Sequence, residues 1–143
     1  MATEYLGVAA TAGQIVHGSY HCDDVSMPIV IAAGAHDGPT LVIHCAQHSR
    51  EYSGSAMIGM LFDSLDLATQ RGTLVALPLS NLPYIVRTRL PDAYRHVDTS
   101  NAPLHGTVEE NINRCWPGKA DATTWNHRLT HMLTTGLFAH VDA

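Results

Sequence analysis

An apolar run that stops at a His-x-x-Glu pair, with helically spaced apolar residues directly after it, limits most strongly what this chain can fold into. Leu41 to Cys45 reads as a buried strand, preceded by the turn-rich cluster Gly34-Ala35-His36-Asp37-Gly38-Pro39-Thr40. His48 stands where that strand gives out, and Glu51 falls in the first turn of a helix expected from about Glu51 to Leu67. Met57, Ile58, Met60, Leu61 and Leu65 recur there at helical spacing, the methionines as core filler. Both polar side chains can then converge beyond the strand end, where an imidazole nitrogen and a carboxylate oxygen suit zinc. A catalytic zinc normally has three protein ligands and an open position for water, so a third ligand must be found. Taken alone, the pair is a weak pattern and better fits a His at a strand end with a Glu favoured by the positive end of a helix dipole. Its setting separates the two readings, because Asn111-Ile112-Asn113-Arg114-Cys115-Trp116-Pro117-Gly118 follows downstream with an Asn-Arg pair and a Pro-Gly stop.

The rest of the chain alternates strands and helices, as an α/β fold requires. Gln14 to Tyr20 and Met27 to Ala33 form an antiparallel pair around Cys22-Asp23-Asp24, while Leu41 to Cys45 and Thr73 to Pro78 read as interior strands. A second helix is expected near Thr123 to Phe138, with Trp125, Leu129, Met132 and Leu133 on one side. There is no internal repeat and no linker. With 143 residues and 45% hydrophobic content, one domain can bury a real core.

Charge and cysteine usage exclude several classes. Charged residues make up 15% of the chain, with a formal net charge of -5, which argues against a nucleic-acid surface. Arg87, Arg89 and Arg95 form the one local basic concentration, either a solvated loop or a pocket for anionic groups. Cys22, Cys45 and Cys115 are odd in number and widely spaced, unlike a disulfide framework. The N-terminus lacks the basic and apolar regions of a signal peptide. No segment approaches the roughly 20 apolar residues of a membrane span. A soluble, cytoplasmic protein is expected.

From the Gly-Pro-Thr turn through His48, Glu51, Tyr52 and Gly54, on to Gly72-Thr73-Leu74-Val75, Pro78, Asn81 and Pro83, and then to Asn113-Arg114 and Pro117-Gly118, the chain resembles the succinylglutamate desuccinylase and aspartoacylase family. These are zinc-dependent deacylases related to the zinc carboxypeptidases. The resemblance implies a three-layer α/β/α fold with a mostly parallel mixed sheet, of which residues 1–143 form the N-terminal part of one catalytic domain. It makes His48 and Glu51 ligands of one zinc ion, and Asn113 and Arg114 substrate-binding residues. Arg89 becomes the arginine that polarises the scissile carbonyl, with Arg87 a near rival. The substrate class it implies is an N-acyl amino acid.

Departures from the family pattern keep other readings open. Ser49 stands where the family usually has Gly, so that His48-Ser49-Arg50-Glu51-Tyr52 also resembles the zinc carboxypeptidase version. Tyr94 to Gly106 looks like an inserted loop. The family's third ligand is a His in an Asp-Leu-His segment; Val141-Asp142-Ala143 resembles the approach to it, which places the ligand beyond Ala143 and the general-base Glu further on. A fragment of this kind is part of a deacylase, with a zinc metallocarboxypeptidase as the enzymatic alternative, or a non-catalytic remnant.

The chemistry the family uses would then follow from the metal. Zinc lowers the pKa of its water to about 7, and a Glu outside the ligand set moves the proton to the leaving amine. Arg89 would stabilise the developing oxyanion, and the planar fork of Arg114 would hold the α-carboxylate.

The chain's ten histidines offer few rival sites. His127 and His131 are one helical turn apart, but the Glu of a His-Glu-x-x-His protease is missing, so a structural or exposed role is expected. His44 is expected to be packed and hydrogen-bonded, and His140 could reach a metal only if the terminal segment bent back. His17, His21, His36, His96 and His105 carry no ligand spacing.

Overall fold

The computed structural model describes residues 2–48, 51–89 and 111–143, and gives side chains for these apart from 86–89. A short antiparallel hairpin, β1 (Ala2–Tyr5) and β2 (Val8–Thr11), precedes the main sheet. Its turn residues Leu6 and Gly7 both have positive φ, 52° and 81°, the geometry that lets a two-residue hairpin follow the strand twist. Nothing in the sequence pattern announces it, because Leu is an uncommon residue in that conformation.

The four-stranded sheet has the order β3-β4-β6-β5, built from β3 (Gln14–Cys22), β4 (Val25–Ala33), β5 (His36–His44) and β6 (Arg71–Leu77). It is mixed: β5 and β6 run parallel, and β3–β4 and β4–β6 antiparallel. The β3–β4 hairpin closes at Asp23-Asp24 with Cys22 opposite Val25, as expected, and Asp23 takes a φ of 53°. A short polar side chain that bonds its own backbone tolerates that conformation well.

Side-chain alternation along the two central strands shows why the fold has three layers. Ile29, Ile31 and Ala33 of β4 and Val75 and Leu77 of β6 enter one core, together with Leu129, Leu133 and Leu137. Val30 and Ala32 of β4 and Leu74 and Ala76 of β6 enter the other, with Ile58 and Phe62. Residues of opposite parity therefore face opposite layers. Strands buried on both faces read as continuous apolar runs, and β4 and β6 do.

Helix α1 (Ser53–Asp63) supplies the second layer and starts later than expected, leaving Glu51 ahead of it. Its buried residues are Ile58 and Phe62, four apart on one face. Met57 and Met60 are 66% and 74% exposed, so they are not core filler as expected; the turn of the helix carries them away from the sheet. Helix α2 (Leu82–Arg89) follows β6, placing Arg87 and Arg89 on a helix rather than in a loop. The expected insertion from Tyr94 to Gly106, with Arg95, lies outside the described residues.

Helix α3 (Trp125–Gly136) covers the first core, and Trp125, Leu129, Met132 and Leu133 lie on its packed side as expected. Trp125 Nε1 donates to the Cys22 carbonyl at 3.3 Å, and the Arg128 guanidinium reaches Asp23 Oδ2 at 2.7 Å, tying the helix to the β3–β4 turn.

Strand β5 differs from expectation at both its start and its outer edge. It begins at His36, so Gly38, Pro39 and Thr40 belong to the strand rather than to a turn, with an irregular register between His36 and Thr40. Proline has no N–H to give a ladder, which favours such an irregularity. Expected as an interior strand, β5 pairs with only one of the described strands, and Leu41 is 45% exposed. Its outer edge meets the terminal residues instead: Val42 N donates to Ala143 O at 2.7 Å and Ala143 N to Thr40 O at 3.2 Å. That exchange sets Ala143 opposite Leu41 in the pattern of a parallel pair.

Candidate metal and substrate site

The chain leaves β5 and turns sharply before His48. Cys45 N donates to Leu77 O and Ser80 N to Cys45 O, both at 2.9 Å, which prolongs the β5–β6 contact past the strand ends. Ala46 then takes a φ of 54° and Asn81 Nδ2 donates to Gln47 O at 3.1 Å. His48 is held by this anchored turn at 7% exposure. Glu51 N donates to His48 O at 3.2 Å, so ligand candidates three positions apart share one turn, with Glu51 exposed. Gly54 lets α1 begin close by, since a Cβ there would stand 2.6 Å from Cys45 Sγ. Burial raises the Cys45 thiol above its ordinary pKa.

The second motif forms a 3-10 turn, Ile112–Arg114, capped by Asn111, whose Oδ1 accepts from Asn113 N at 3.1 Å. Ile112 is fully buried and roots the turn in the core. Thr130 Oγ1 of α3 donates to Cys115 O at 2.8 Å, which fixes the turn's far side. Gly118, at a φ of 83°, lies so close to α3 that a Cβ would meet the backbone of His127 and His131. This explains the Pro-Gly stop: the chain passes the helix where no side chain fits.

These two anchored turns meet. Asn113 Nδ2 donates to His48 Nε2 at 3.0 Å, across 65 residues of sequence. His48, Glu51, Asn113 and Arg114 thus belong to two neighbouring turns, with Arg114 exposed and its backbone N bonded to Asn111 O at 2.9 Å. The side chains of Arg87 and Arg89 lie outside the described residues, as do Ser49 and Arg50. Sequence reasoning missed Asn111; the Asn-x-Asn spacing was its available signal, because an Asn side chain readily bonds the N–H two residues on.

The donor types at His48 and Glu51 are ones that zinc accepts, and they number two where a catalytic site uses three protein ligands. Among the described residues no group of three His, Cys, Asp or Glu side chains is placed to hold a metal. His127 has a structural role instead, with its Nδ1 2.6 Å from Thr124 Oγ1 at the start of α3.

His44 packs between Trp116 and Phe138, at ring-centroid distances of 5.9 Å and 5.4 Å. It is packed as expected, but its buried Nδ1 has no hydrogen-bond partner among the described residues, where a bond was expected. Burial lowers its pKa. A free histidine titrates near 6.5, so the unfolded chain takes up the proton first as pH falls. The packing of neutral His44 therefore contributes its full stability above about pH 6.5 and loses it as pH falls towards the lowered folded-state value. Urea unfolding at pH 7.5 and 5.5 should show a smaller loss for His44→Phe than for the unmodified chain; equal losses would remove this role.

A mixed sheet between helical layers thus carries a His-x-x-Glu turn at a strand end, in contact with an Asn-Arg turn. The chain belongs to the succinylglutamate desuccinylase/aspartoacylase family: residues 37–142 match the description of its catalytic domain. Among solved structures, it is similar to the succinylglutamate desuccinylase/aspartoacylase from Rhodobacter sphaeroides, with 29% identity and a TM-score of 0.60 over 82% of this chain and 31% of that one. An aspartoacylase family protein from Mesorhizobium loti superposes with a TM-score of 0.70 at 22% identity, covering 99% of this chain and 41% of the other. The product-bound ectoine utilization protein of Ruegeria pomeroyi gives 0.67 at 21% identity, over 99% and 40%. The chain thus spans 31–41% of the length of these structures. No curated protein gives a match. Among the described residues, no helix is long and apolar enough to cross a membrane.

Proposed function

We propose that this chain carries part of the active site of a zinc-dependent amide hydrolase that removes an acyl group from an N-acyl amino acid. Family membership supports the hydrolase class, and the His48–Asn113 contact carries the reading of the site, because it joins the two motif blocks at one place. His48 and Glu51 would hold the metal, which when bound supplies polarisation of the carbonyl and acidification of water. Arg114 would pair its guanidinium with the substrate α-carboxylate in a fork-to-fork arrangement, with Asn113 beside it. Arg89 would face the oxygen on which charge develops.

The third protein ligand comes, in this reading, from beyond Ala143. Ala143 lies opposite Leu41 on the outer edge of β5. A segment that continued this parallel pairing would draw level with His44 after about three residues, at roughly 3.3 Å each, and so reach the end of the sheet that carries His48.

A second reading, a non-catalytic remnant, has one observation in its favour: among the described residues no group of three His, Cys, Asp or Glu side chains is placed to hold a metal. Hydrolysis of N-acetyl and N-succinyl amino acids, assayed before and after chelation and again with zinc restored, separates the two. Activity lost to the chelator and regained with zinc is the expected outcome. No hydrolysis by the native gene product under any metal condition would leave the remnant.

A further inference from the structure

The direction in which the chain reaches His48 is set by Ala46, whose φ of 54° lies in the left-handed region that an L residue enters at a cost. It stays there because its neighbours on both sides are tied to residues 77–81, between β6 and α2. Before it, Cys45 N donates to Leu77 O and Cys45 O accepts from Ser80 N, each at 2.9 Å. After it, Gln47 O accepts from Asn81 Nδ2 at 3.1 Å. The first tie is made by backbone alone, and the second hangs on one side chain. Asn81 is itself fixed: it is 1% exposed, and its carbonyl accepts from Ile85 N at 3.1 Å, the opening bond of α2. A carbonyl oxygen can only accept, so the amide nitrogen is the end that faces Gln47.

We propose that Asn81 is a positioning residue for the metal site: by pinning Gln47 it holds Ala46 left-handed and so aims His48, the next residue along. This rests on the reading of His48 as a ligand. Without the amide donor, Ala46 relaxes towards the right-handed or extended regions that alanine prefers. The chain after it then changes direction, and His48 leaves its place beside the Asn113 turn. The buried carboxamide of Asn81 thereby acts on the metal without touching it, through one backbone carbonyl and one strained residue.

Two readouts separate aiming from mere support of the fold. In Asn81→Ala the backbone chemical shifts of Ala46, which report the sign of φ, should lose their left-handed values. Zinc affinity of the 143-residue chain should fall about 10- to 100-fold, the usual effect of losing an outer-shell partner. Asn81→Leu keeps the volume without the donor and takes over the comparison if the truncated side chain does not fold. Ala46→Gly then decides the mechanism, because glycine enters positive φ about as readily as negative. Alone it should bind zinc about as well as the unmodified chain. Combined with either Asn81 variant it should recover about 5- to 30-fold of the lost affinity, the ratio set by the left-handed cost of a non-glycine residue. A residue that only supported the fold would gain nothing from the loss of a methyl group at position 46. Left-handed Ala46 shifts retained without the Asn81 donor, or no recovery with glycine, overturn the positioning role while leaving His48 a ligand. Zinc affinity that is indifferent to His48→Ala removes the ligand reading, and the proposal with it.

Discussion

Replacing His48 with alanine is expected to abolish zinc uptake at this site and to reduce deacylation by more than the roughly 10- to 100-fold that loss of an outer-shell partner costs. His48 contributes one of two donors that share a turn, and no other His, Cys or Asp among the described residues completes a group of three with them. Glu51→Gln provides the matching case: it keeps the shape of the turn but removes the charge that offsets the metal's, and is expected to lose zinc affinity without losing the fold. The comparison is interpretable because Glu51 is exposed, whereas His48 is buried. Zinc content by mass spectrometry, paired with hydrolysis of N-acetyl and N-succinyl amino acids by the native gene product, checks both variants. A His48→Ala protein with undiminished zinc and activity would sink the assignment.

Gly72→Ala is expected to be the most damaging single-methyl change in the fold. Gly72 is the second residue of β6, with a φ of 79°, and a Cβ there would run into the Pro39 carbonyl and the backbone of Gly38. A positive φ costs a non-glycine residue about 1–2 kcal/mol. Overpacking adds about 1–3 kcal/mol. The obstacle here is backbone, so no rotamer change relieves it, and relief requires β5 and β6 to separate at their irregular register. Gly13→Ala serves as the reference, because Gly13 has the same sign of φ, 81°, and nothing within 4 Å of its Cβ position. Urea unfolding should place Gly72→Ala about 2–5 kcal/mol below the unmodified chain and Gly13→Ala only about 1–2 kcal/mol below it. Equal losses would mean that β5 and β6 do not approach as closely as described.

The residues themselves show which parts of the fold could be read in advance. The β3–β4 hairpin was legible because two apolar runs flank a two-residue polar turn, Asp23-Asp24. The buried side of α3 was legible because Trp125, Leu129, Met132 and Leu133 keep one helical stripe. Helical spacing alone misled at α1, since a periodic stripe does not say which side meets the sheet. Ile58 and Phe62 do so, and Met57 and Met60 face away. Gly38-Pro39 read as a turn because those residues usually make one, while tertiary pairing with β6 drew them into a strand. The β1–β2 hairpin left no signal, as its strands are four residues each and Leu6 occupies a position that Asn or Gly would have advertised. At the site, each motif could be read locally, but the His48–Asn113 bond is a product of the fold over 65 residues and no spacing rule reports it.

The most direct test of the central claim is anomalous diffraction at the zinc edge from zinc-loaded crystals of the native protein. The expected result is a single strong peak within bonding distance of both His48 and Glu51. A peak confined to another histidine cluster, such as His127 and His131 on α3, or no peak at the His48 turn, would contradict the assignment of this site.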